Sequence, residues 1–209
     1  RVFVVDPSAK SQNVAAKRWA EMDCDIHKVN YHDSISEIDR GHVDLAIVAT
    51  PSTVRQTAFE KLVDHASVET VVFEKVLFQR VEEYETVAAR LSQDGISAWV
   101  NCPRRNYGVY RTIRDAVGSK PVDVEVVGTD WGLGCNAIHF ADLFGWLTGS
   151  RHLDWDTTGL EDELQESKRD GFVEFTGSLA ARDDGGNALR LRCFEGGQPH
   201  LSVRISTPD

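Results

Sequence analysis

The chain has 209 residues, 41% of them apolar, and a formal net charge of −10 at pH 7. Such a chain can bury the core of one large or two small domains, while its negative charge argues against nucleic-acid binding, which rests mainly on Lys and Arg. No apolar run approaches the roughly 18 residues that cross a bilayer, so no membrane partner is expected either.

The first hundred residues alternate between short apolar runs and helix-period patterns. The continuous apolar run at 44–49 is typical of a strand that helices cover on both faces. This alternation predicts βαβ units and a mostly parallel sheet, and therefore an α/β fold. Strands are predicted at 2–5, 25–29, 44–49, 70–73 and 97–100, and helices at 11–22, 53–66 and 81–91.

After about residue 101 the pattern changes to two helices, at 107–117 and 136–147, and to period-two strands. Leu189 and Leu191 alternate with Arg190 and Arg192, and Leu201, Val203 and Ile205 alternate with polar residues, which is typical of strands with one buried face. Turn signals at 183–187 and 195–197 stand where hairpins would need them. The sequence therefore predicts an α/β domain at residues 1–103, followed by an α+β domain at 104–209 with an open, mainly antiparallel sheet.

The four cysteines are far apart and never form a C-x-x-C pair. They are Cys24, Cys102, Cys135 and Cys193. This spacing predicts neither a zinc knuckle nor a disulfide framework, so a reduced, cytoplasmic setting is expected.

The apolar strand at 70–73 is followed by Glu74 and then by Lys75. The carboxyl end of a strand in an open α/β sheet faces the crevice where such sheets bind ligands. Lys75 is therefore either a surface cation paired with Glu74 or a group that acts on a ligand in that crevice.

His139 lies on the second helix of the C-terminal half, and either packs in the core or transfers protons. Cys135, Asn136 and Asp142 share its helix face at three- and four-residue steps. This polar face favours proton transfer beside a bound cofactor. It lacks a third strong ligand for a metal ion, so no metal site is predicted.

Asp6 and the Thr50-Pro51 pair also end predicted strands. Asp6 either caps the following helix or accepts hydrogen bonds from the adenosine ribose of a dinucleotide. Such an acid follows a glycine-rich turn by about 20 residues, so that turn is expected before Arg1. Thr50 and Pro51 either terminate a strand or form a rigid wall for a cofactor.

Three further side chains have two interpretations each. Arg104 and Arg105 are either surface charges or hold a polar substrate. Trp131 either stacks on a ligand or packs in the core.

Three segments resemble the Gfo/Idh/MocA group of NAD(P)-dependent oxidoreductases. Residues 44–76 are similar to the family's strand, Thr-Pro turn, helix and strand ending in Glu-Lys. Val100-Asn101-x-x-Arg104-Arg105 is similar to its domain junction, and residues 134–149 to the helix that carries its histidine. The resemblance implies a Rossmann-like domain followed by a domain whose open sheet mediates oligomerisation.

The resemblance also implies a reaction, namely hydride transfer between NAD, or NADP, and a secondary alcohol or keto group of a sugar, cyclitol or nucleotide-sugar. Lys75 and His139 would be catalytic, and Asp6 would hold the ribose. Thr50, Pro51 and Glu74 would form the cofactor wall. The substrate would meet Arg104, Arg105, Tyr107, Asn136 and Trp131.

A homodimer or homotetramer is expected through the C-terminal sheet. Its exposed row of arginines, Arg190, Arg192 and Arg204, would meet carboxylates such as Glu174 or Asp183 of a partner.

The chain departs from the family pattern at three positions. Val76 replaces a proline, Arg55 stands where a histidine is common, and Cys135 replaces the aspartate that precedes the catalytic histidine. These departures support an alternative function, a non-catalytic sensor that binds a dinucleotide or another metabolite.

Overall fold

Alternating strands and helices make up the first of two structural units, Arg1–Asn101; the second is Cys102–Asp209. The computed structural model describes residues 1–22, 28–167, 171–196, 198 and 200–207. Cys24 and most of the strand predicted at 25–29 lie outside these residues. No helix in the described part of the chain is long and apolar enough to cross a membrane.

In residues 1–22 and 28–101 the first unit contains five strands in two parallel sheets. Its strands are β1 (Val2–Val5), β2 (Val29–His32), β3 (His42–Val48), β4 (Ser67–Phe73) and β5 (Ser97–Val100). Its helices are α1 (Ala9–Glu21), α2 (Arg55–His65) and α3 (Val81–Asp94), and a 3-10 turn covers Ile35–Glu37. Strand β1 pairs with β2, while β4 lies between β3 and β5.

Local side-chain contacts explain where two of these helices begin. Helix α1 starts after Ser8, whose hydroxyl oxygen accepts a hydrogen bond from the backbone N–H of Ser11 at 3.3 Å. At the start of α3 the Glu83 carboxylate accepts from the N–H groups of Gln79 and Arg80, at 2.8 and 3.1 Å. Both contacts satisfy backbone donors that have no partner inside the helix.

The apolar core of the first unit lies against one face of the β3–β4–β5 sheet. Phe59 of α2 and Val87 of α3 are buried with Phe73 of β4. Leu45 and Ile47, on the opposite face of β3, are 55% and 67% exposed. The prediction that helices cover this strand on both faces is therefore wrong for the residues that the structure describes.

The described residues of the second unit form five strands in one sheet, covered by helices on one face. The strands are β6 (Asp123–Thr129), β7 (Asp154–Glu166), β8 (Val173–Arg182), β9 (Ala188–Phe194) and β10 (His200–Ser206). The helices are α4 (Gly108–Val117) and α5 (Leu133–Thr148), preceded by a 3-10 turn at Pro103–Asn106. The sheet order is β10-β6-β9-β8-β7, and all pairs except β6 with β9 are antiparallel. The predicted fold class, a parallel α/β part followed by an α+β part with a mainly antiparallel sheet, is confirmed.

The pairing of the last strands differs from the predicted hairpins. The turn at 183–187 does join β8 to β9 as an antiparallel pair. Strands β9 and β10 do not pair, however, because β6 lies between them. The turn signal at 195–197 was therefore not evidence of a hairpin.

The outer face of this sheet carries the arginines that the alternation predicted. Glu125 of β6 pairs with Arg192 at 3.0 Å and lies 3.9 Å from Arg204. The two carboxylates expected to meet these arginines in a partner have contacts within the chain: Glu174 accepts from backbone N–H groups of α5, and Asp183 from Asn187. Glu125 of the same sheet thus neutralises part of the positive charge of the arginine row.

Asn187 holds the β8–β9 turn against β6. Its side-chain oxygen accepts a hydrogen bond from the buried N–H of Val122 at 2.7 Å, and its Nδ2 donates to Asp183 Oδ2 at 2.8 Å. Burial raises the pKa of Asp183, but donation from Asn187 and from the backbone N–H of Gly185 outweighs it, so the pKa lies below its ordinary value.

We expect Asn187→Ala to lower the free energy of unfolding by about 1–3 kcal/mol, because the buried Val122 N–H loses its acceptor. Asp183 stabilises the fold above its unfolded-state pKa, and this contribution disappears as the pH falls through the lower folded-state value. The difference between wild type and variant should therefore shrink at acidic pH. Urea unfolding at several pH values measures it, with Asp184→Ala, an exposed change in the same turn, as control. Equal losses in both variants would contradict the assignment.

Candidate active site

The carboxyl end of β3 leads into the Thr50-Pro51 turn. The Pro51 carbonyl oxygen accepts a hydrogen bond from the N–H of Val54 at 3.2 Å, and α2 begins one residue later. Proline fixes the backbone of this turn. The two residues predicted to wall a cofactor thus occupy the strand end where open α/β sheets bind ligands.

Arg55, the first residue of α2, joins this turn to the segment that follows Lys75. Its side chain is 3% exposed. The guanidinium donates to the carbonyl oxygens of Thr50 and Val76, and to that of Leu77 at 2.7 Å. A planar fork of N–H donors can hold several carbonyls at once, which an imidazole cannot do. From the sequence, Arg55 was noted only as a departure from the resembled pattern. In the structure its hydrogen bonds support the segment that follows Lys75.

Glu74 and Lys75 follow β4 at the same edge of the sheet. The N–H of Glu74 continues the β3–β4 ladder by donating to the Val48 carbonyl oxygen at 3.1 Å. The side-chain amide of Asn101, directly after β5, donates to the Glu74 carboxylate. The peptide bond between Lys75 and Val76 is cis. The ends of three adjacent strands therefore carry Thr50, Glu74 with Lys75, and Asn101.

Asp6 follows β1 and holds the turn that begins α1. Its Oδ1 accepts from the N–H of Ser8 at 2.8 Å, so one carboxylate oxygen supports the helix start. Gln12 Nε2 donates to the Asp6 carbonyl oxygen at 2.7 Å and to Asp33 Oδ1 at 2.8 Å, linking the ends of β1 and β2. The helix cap itself is Ser8, so Asp6 holds the turn before the helix and is not the cap. A ribose contact would involve its other carboxylate oxygen.

Helix α5 carries His139, and a carboxylate fixes the start of this helix. Glu174 Oε2 accepts from the N–H groups of Gly134 at 2.8 Å and Cys135 at 3.3 Å. A negative charge at this position complements the helix dipole. A Cβ at Gly134 would lie 2.9 Å from Glu174 Oε2 and 3.0 Å from the Phe175 ring, so a larger residue here would displace this carboxylate. His139 itself is half-buried, one turn further along.

Asp142, three residues after His139, pairs with Arg105 in two hydrogen bonds. Arg105 Nε lies 3.0 Å from Asp142 Oδ2, and its terminal nitrogen donates to Oδ1. Burial raises the pKa of the Asp142 carboxyl above its ordinary value, and the charge and hydrogen bonds of Arg105 offset only part of that rise. This pair holds the Asp142 carboxylate on the helix face that carries His139. It also engages the Arg105 guanidinium.

The other predicted substrate residues have contacts within the second unit. The Arg104 guanidinium lies over the Phe140 ring, 4.2 Å from its centroid. Trp131 donates its indole N–H to the Arg192 carbonyl oxygen at 2.9 Å and packs edge-on against Phe140. The amide of Asn136 donates to the Trp131 carbonyl oxygen at 2.7 Å. These contacts favour the core interpretation of Trp131.

Tyr107 is more exposed than the other predicted substrate residues. It is 51% exposed and precedes α4, with its ring stacked on that of Tyr110. Its hydroxyl is a donor and an acceptor that a polar ligand could use.

The predicted site residues other than Asp6, which lies in the separate β1–β2 sheet, thus form one group in each unit. In the first unit the structure brings together the ends of β3, β4 and β5. In the second it places His139 between the Glu174 and Asp142 contacts of α5. Asn101, Arg55 and Gln12 were not predicted as site residues, because each acts through a partner about 20 or more positions away and no local motif marks it.

No protein-family model and no curated protein matches this chain by sequence. Solved structures do match its fold. A dehydrogenase (MviM) from Clostridium difficile has a TM-score of 0.71 at 14% identity over 99% of the chain. GenD2 from gentamicin A biosynthesis, solved in complex with NAD, has a TM-score of 0.70 at 16% identity over 99%. UDP-N-acetylglucosamine 3-dehydrogenase GnnA from Acidithiobacillus ferrooxidans has a TM-score of 0.71 at 18% identity over 100%.

These neighbours define the fold as that of Gfo/Idh/MocA-type dehydrogenases with a Rossmann-like domain. The resemblance predicted from the sequence is confirmed at the level of the fold. The chain spans about two thirds of the length of these proteins, 65%, 62% and 67% respectively.

We expect Arg55→Met to lower the free energy of unfolding by roughly 2–4 kcal/mol, because three carbonyl groups lose a charged donor. Lys61→Met, an exposed change on the same helix, should have little effect. Urea unfolding gives the free energies, and amide hydrogen exchange at residues 75–77 reports the loosened segment. An unfolding curve like that of wild type would show that the Arg55 contacts are not needed.

Proposed function

We propose that the intact protein is a nicotinamide-dependent oxidoreductase that acts on a secondary alcohol or keto group of a sugar, cyclitol or nucleotide-sugar. The observation that carries the proposal is the grouping of Thr50, Glu74, Lys75 and Asn101 at the carboxyl ends of three parallel strands. Ligands of open α/β sheets bind at that edge. The fold is that of known dehydrogenases, one of them solved with NAD.

In this proposal residues 1–103 bind the dinucleotide. The edge of the β3–β4–β5 sheet fits the cofactor because its turns are fixed before a ligand arrives. Arg55 holds the backbone on both sides of the edge, and Asn101 holds the Glu74 carboxylate. Pre-formed walls lower the entropy that binding must overcome. Asp6 would accept hydrogen bonds from the adenosine ribose.

The chemistry would belong to Lys75 and His139. A bound nicotinamide supplies or accepts the hydride. Lys75, an ammonium whose three protons can donate, would stabilise the negative charge that develops on the substrate oxygen. His139 would take or return the hydroxyl proton as general base or acid. The Asp142–Arg105 pair would keep the helix face beside His139 in a fixed orientation.

The remaining substrate contacts would come from residues 104–209. Tyr107 is exposed, and its hydroxyl suits a polyhydroxylated ligand. Arg104, Asn136 and Trp131 would act mainly by shaping the surface around His139, since their contacts lie within the chain. Arg105 would act through Asp142.

The protein would form a homodimer or homotetramer through the outer face of the second unit's sheet. Arg190, Arg192 and Arg204 share this face with Glu125, so the surface presents both signs of charge. A two-fold interface can match such a surface with itself, arginine to glutamate. A cytoplasmic location is part of the same proposal.

Lys75→Ala and His139→Ala should each lower kcat by roughly 10² or more, because acid–base groups typically contribute that much. NADH affinity should change little. Steady-state rates with a panel of sugars and nucleotide-sugars, together with fluorescence titration of NADH, separate the two effects. Lys61→Ala and His152→Ala, both exposed, are matched controls. Activity within about threefold of wild type in either site variant would contradict the roles. NADH binding without turnover of any substrate would favour the sensor.

NADH should bind more tightly than NADPH, by about tenfold, which corresponds to about 1.4 kcal/mol. The Asp6 carboxylate repels a 2′-phosphate and accepts from a free 2′-hydroxyl. Asp6→Asn should narrow the difference while keeping an acceptor for the Ser8 N–H, and Glu21→Gln should leave it unchanged. Tighter binding of NADPH to wild type in a fluorescence titration would show that Asp6 does not face the ribose.

A further inference from the structure

Three side chains with metal-binding atoms meet at the amino-terminal end of the β3–β4 pair, away from the predicted cofactor edge. They are His42 and Asp44 of β3 and Glu69 of β4, and their ligand atoms all lie within 4.8 Å of one another. His42 Nε2 is 3.6 Å from Asp44 Oδ1 and 3.5 Å from Glu69 Oε2. We propose that this cluster, the His42 triad, binds a divalent transition metal such as Zn²⁺.

The sheet itself brings the three residues together. His42 and Asp44 are two positions apart, so their side chains leave the same face of β3. The parallel register pairs Val43 with Val68 and Leu45 with Thr70, which sets Asp44 beside Glu69. Because the backbone of both strands is fixed by ladder hydrogen bonds, only side-chain torsions must be ordered when a metal binds. A site on strands is therefore better organised than the same residues on a loop.

The distances agree with those of a metal site. Zinc lies 2.0–2.2 Å from imidazole nitrogen and carboxylate oxygen, so two ligands at a tetrahedral angle are about 3.4 Å apart. The separations of His42 from Asp44 and Glu69, 3.6 and 3.5 Å, are close to this value, and the ligand atoms of the two carboxylates lie within 4.8 Å of each other. Three protein ligands would leave a fourth position for water. One imidazole with two carboxylates suits zinc and its neighbours better than Ca²⁺ or Mg²⁺, which prefer oxygen alone.

The charge of the triad favours a cation. Asp44 and Glu69 carry like charges on neighbouring strands, an arrangement that destabilises a sheet. In the described part of the chain, no Lys or Arg forms an ion pair with either carboxylate, and His42 contacts both. A divalent ion would neutralise both carboxylates and link β3 to β4. All three side chains are more than half exposed, so the ion can enter from solvent.

No local motif marks this site, because Asp44 and Glu69 are separated by 25 positions and a helix. The prediction that the chain has no metal site considered only the cysteine spacing and the helix face around His139. A metal at the His42 triad would stabilise the first unit by mass action and would not require cofactor binding. It is therefore independent of the proposed oxidoreductase function.

Isothermal titration calorimetry of the purified protein with ZnCl₂ tests the proposal. Asp44→Asn and Glu69→Gln keep the shape of each side chain and should each weaken Zn²⁺ binding by about tenfold or more. Glu85→Gln removes an exposed charge from α3 and is the matched control. All variants carry Cys135→Ser, so that the exposed thiol cannot bind the metal. Zn²⁺ should raise the melting temperature of the control but not of Asp44→Asn, and EDTA should reverse the effect.

The imidazole nitrogen resonances of His42 give a readout at the site itself. Zn²⁺ should shift the Nε2 resonance at neutral pH and lose this effect in acid, because protons compete for the same nitrogen. Zinc binding of equal strength in the control and in both triad variants would place the metal elsewhere and overturn the proposal. The absence of any heat or melting shift would overturn it as well.

Discussion

The hydrogen-bonded register of the parallel β3–β4–β5 sheet is the constraint on which the account of the first unit depends. Parallel strands end at a common edge, so the backbone register makes residues far apart in sequence neighbours there. At the carboxyl edge the register brings Thr50, Glu74 and Asn101 together. At the amino edge it sets Asp44 beside Glu69. One arrangement of backbone thus produces the candidate cofactor edge and the candidate metal site at opposite ends of the same strands.

A second constraint is the need to satisfy backbone carbonyls where the strands end. The segment after Lys75 leaves the ladder, and its carbonyl groups need donors from elsewhere. Arg55 provides them, because one guanidinium reaches the Thr50 turn and the Val76–Leu77 segment together. In the second unit Glu174 has the corresponding role for backbone N–H groups at the start of α5. In each unit, therefore, a charged side chain outside the proposed chemistry positions a segment that carries a proposed catalytic residue. Arg55 does so for Lys75, and Glu174 does so for His139.

Much of the fold could be predicted from the sequence, because apolar periodicity marks elements that bury one face. The strand before Lys75 and the helix of His139 were both found in this way. Strands β7 and β8 were not predicted. β7 is a long, largely exposed edge strand without apolar alternation, and the register of β7 with β8 is irregular near Gly159. The pairing of β10 with β6 could not be read from the turn at 195–197, since adjacency along the chain does not fix the order of strands in a sheet. Glu74 and Lys75 were predicted as site residues because they directly follow an apolar strand, whereas Asn101 and Arg55 were not, because each contacts a segment more than 20 positions away.

The central claim is that the carboxyl edge of the β3–β4–β5 sheet binds a nicotinamide dinucleotide. Titration of the isotope-labelled intact protein with NADH, followed by the backbone amide resonances, tests it most directly. The account predicts saturable shifts concentrated at residues 50–52, 74–76 and 101, with little change at residues 42–44 and 67–69 at the opposite end of the same strands. Saturable binding of NADH that leaves the resonances of residues 50–52, 74–76 and 101 unchanged would contradict it.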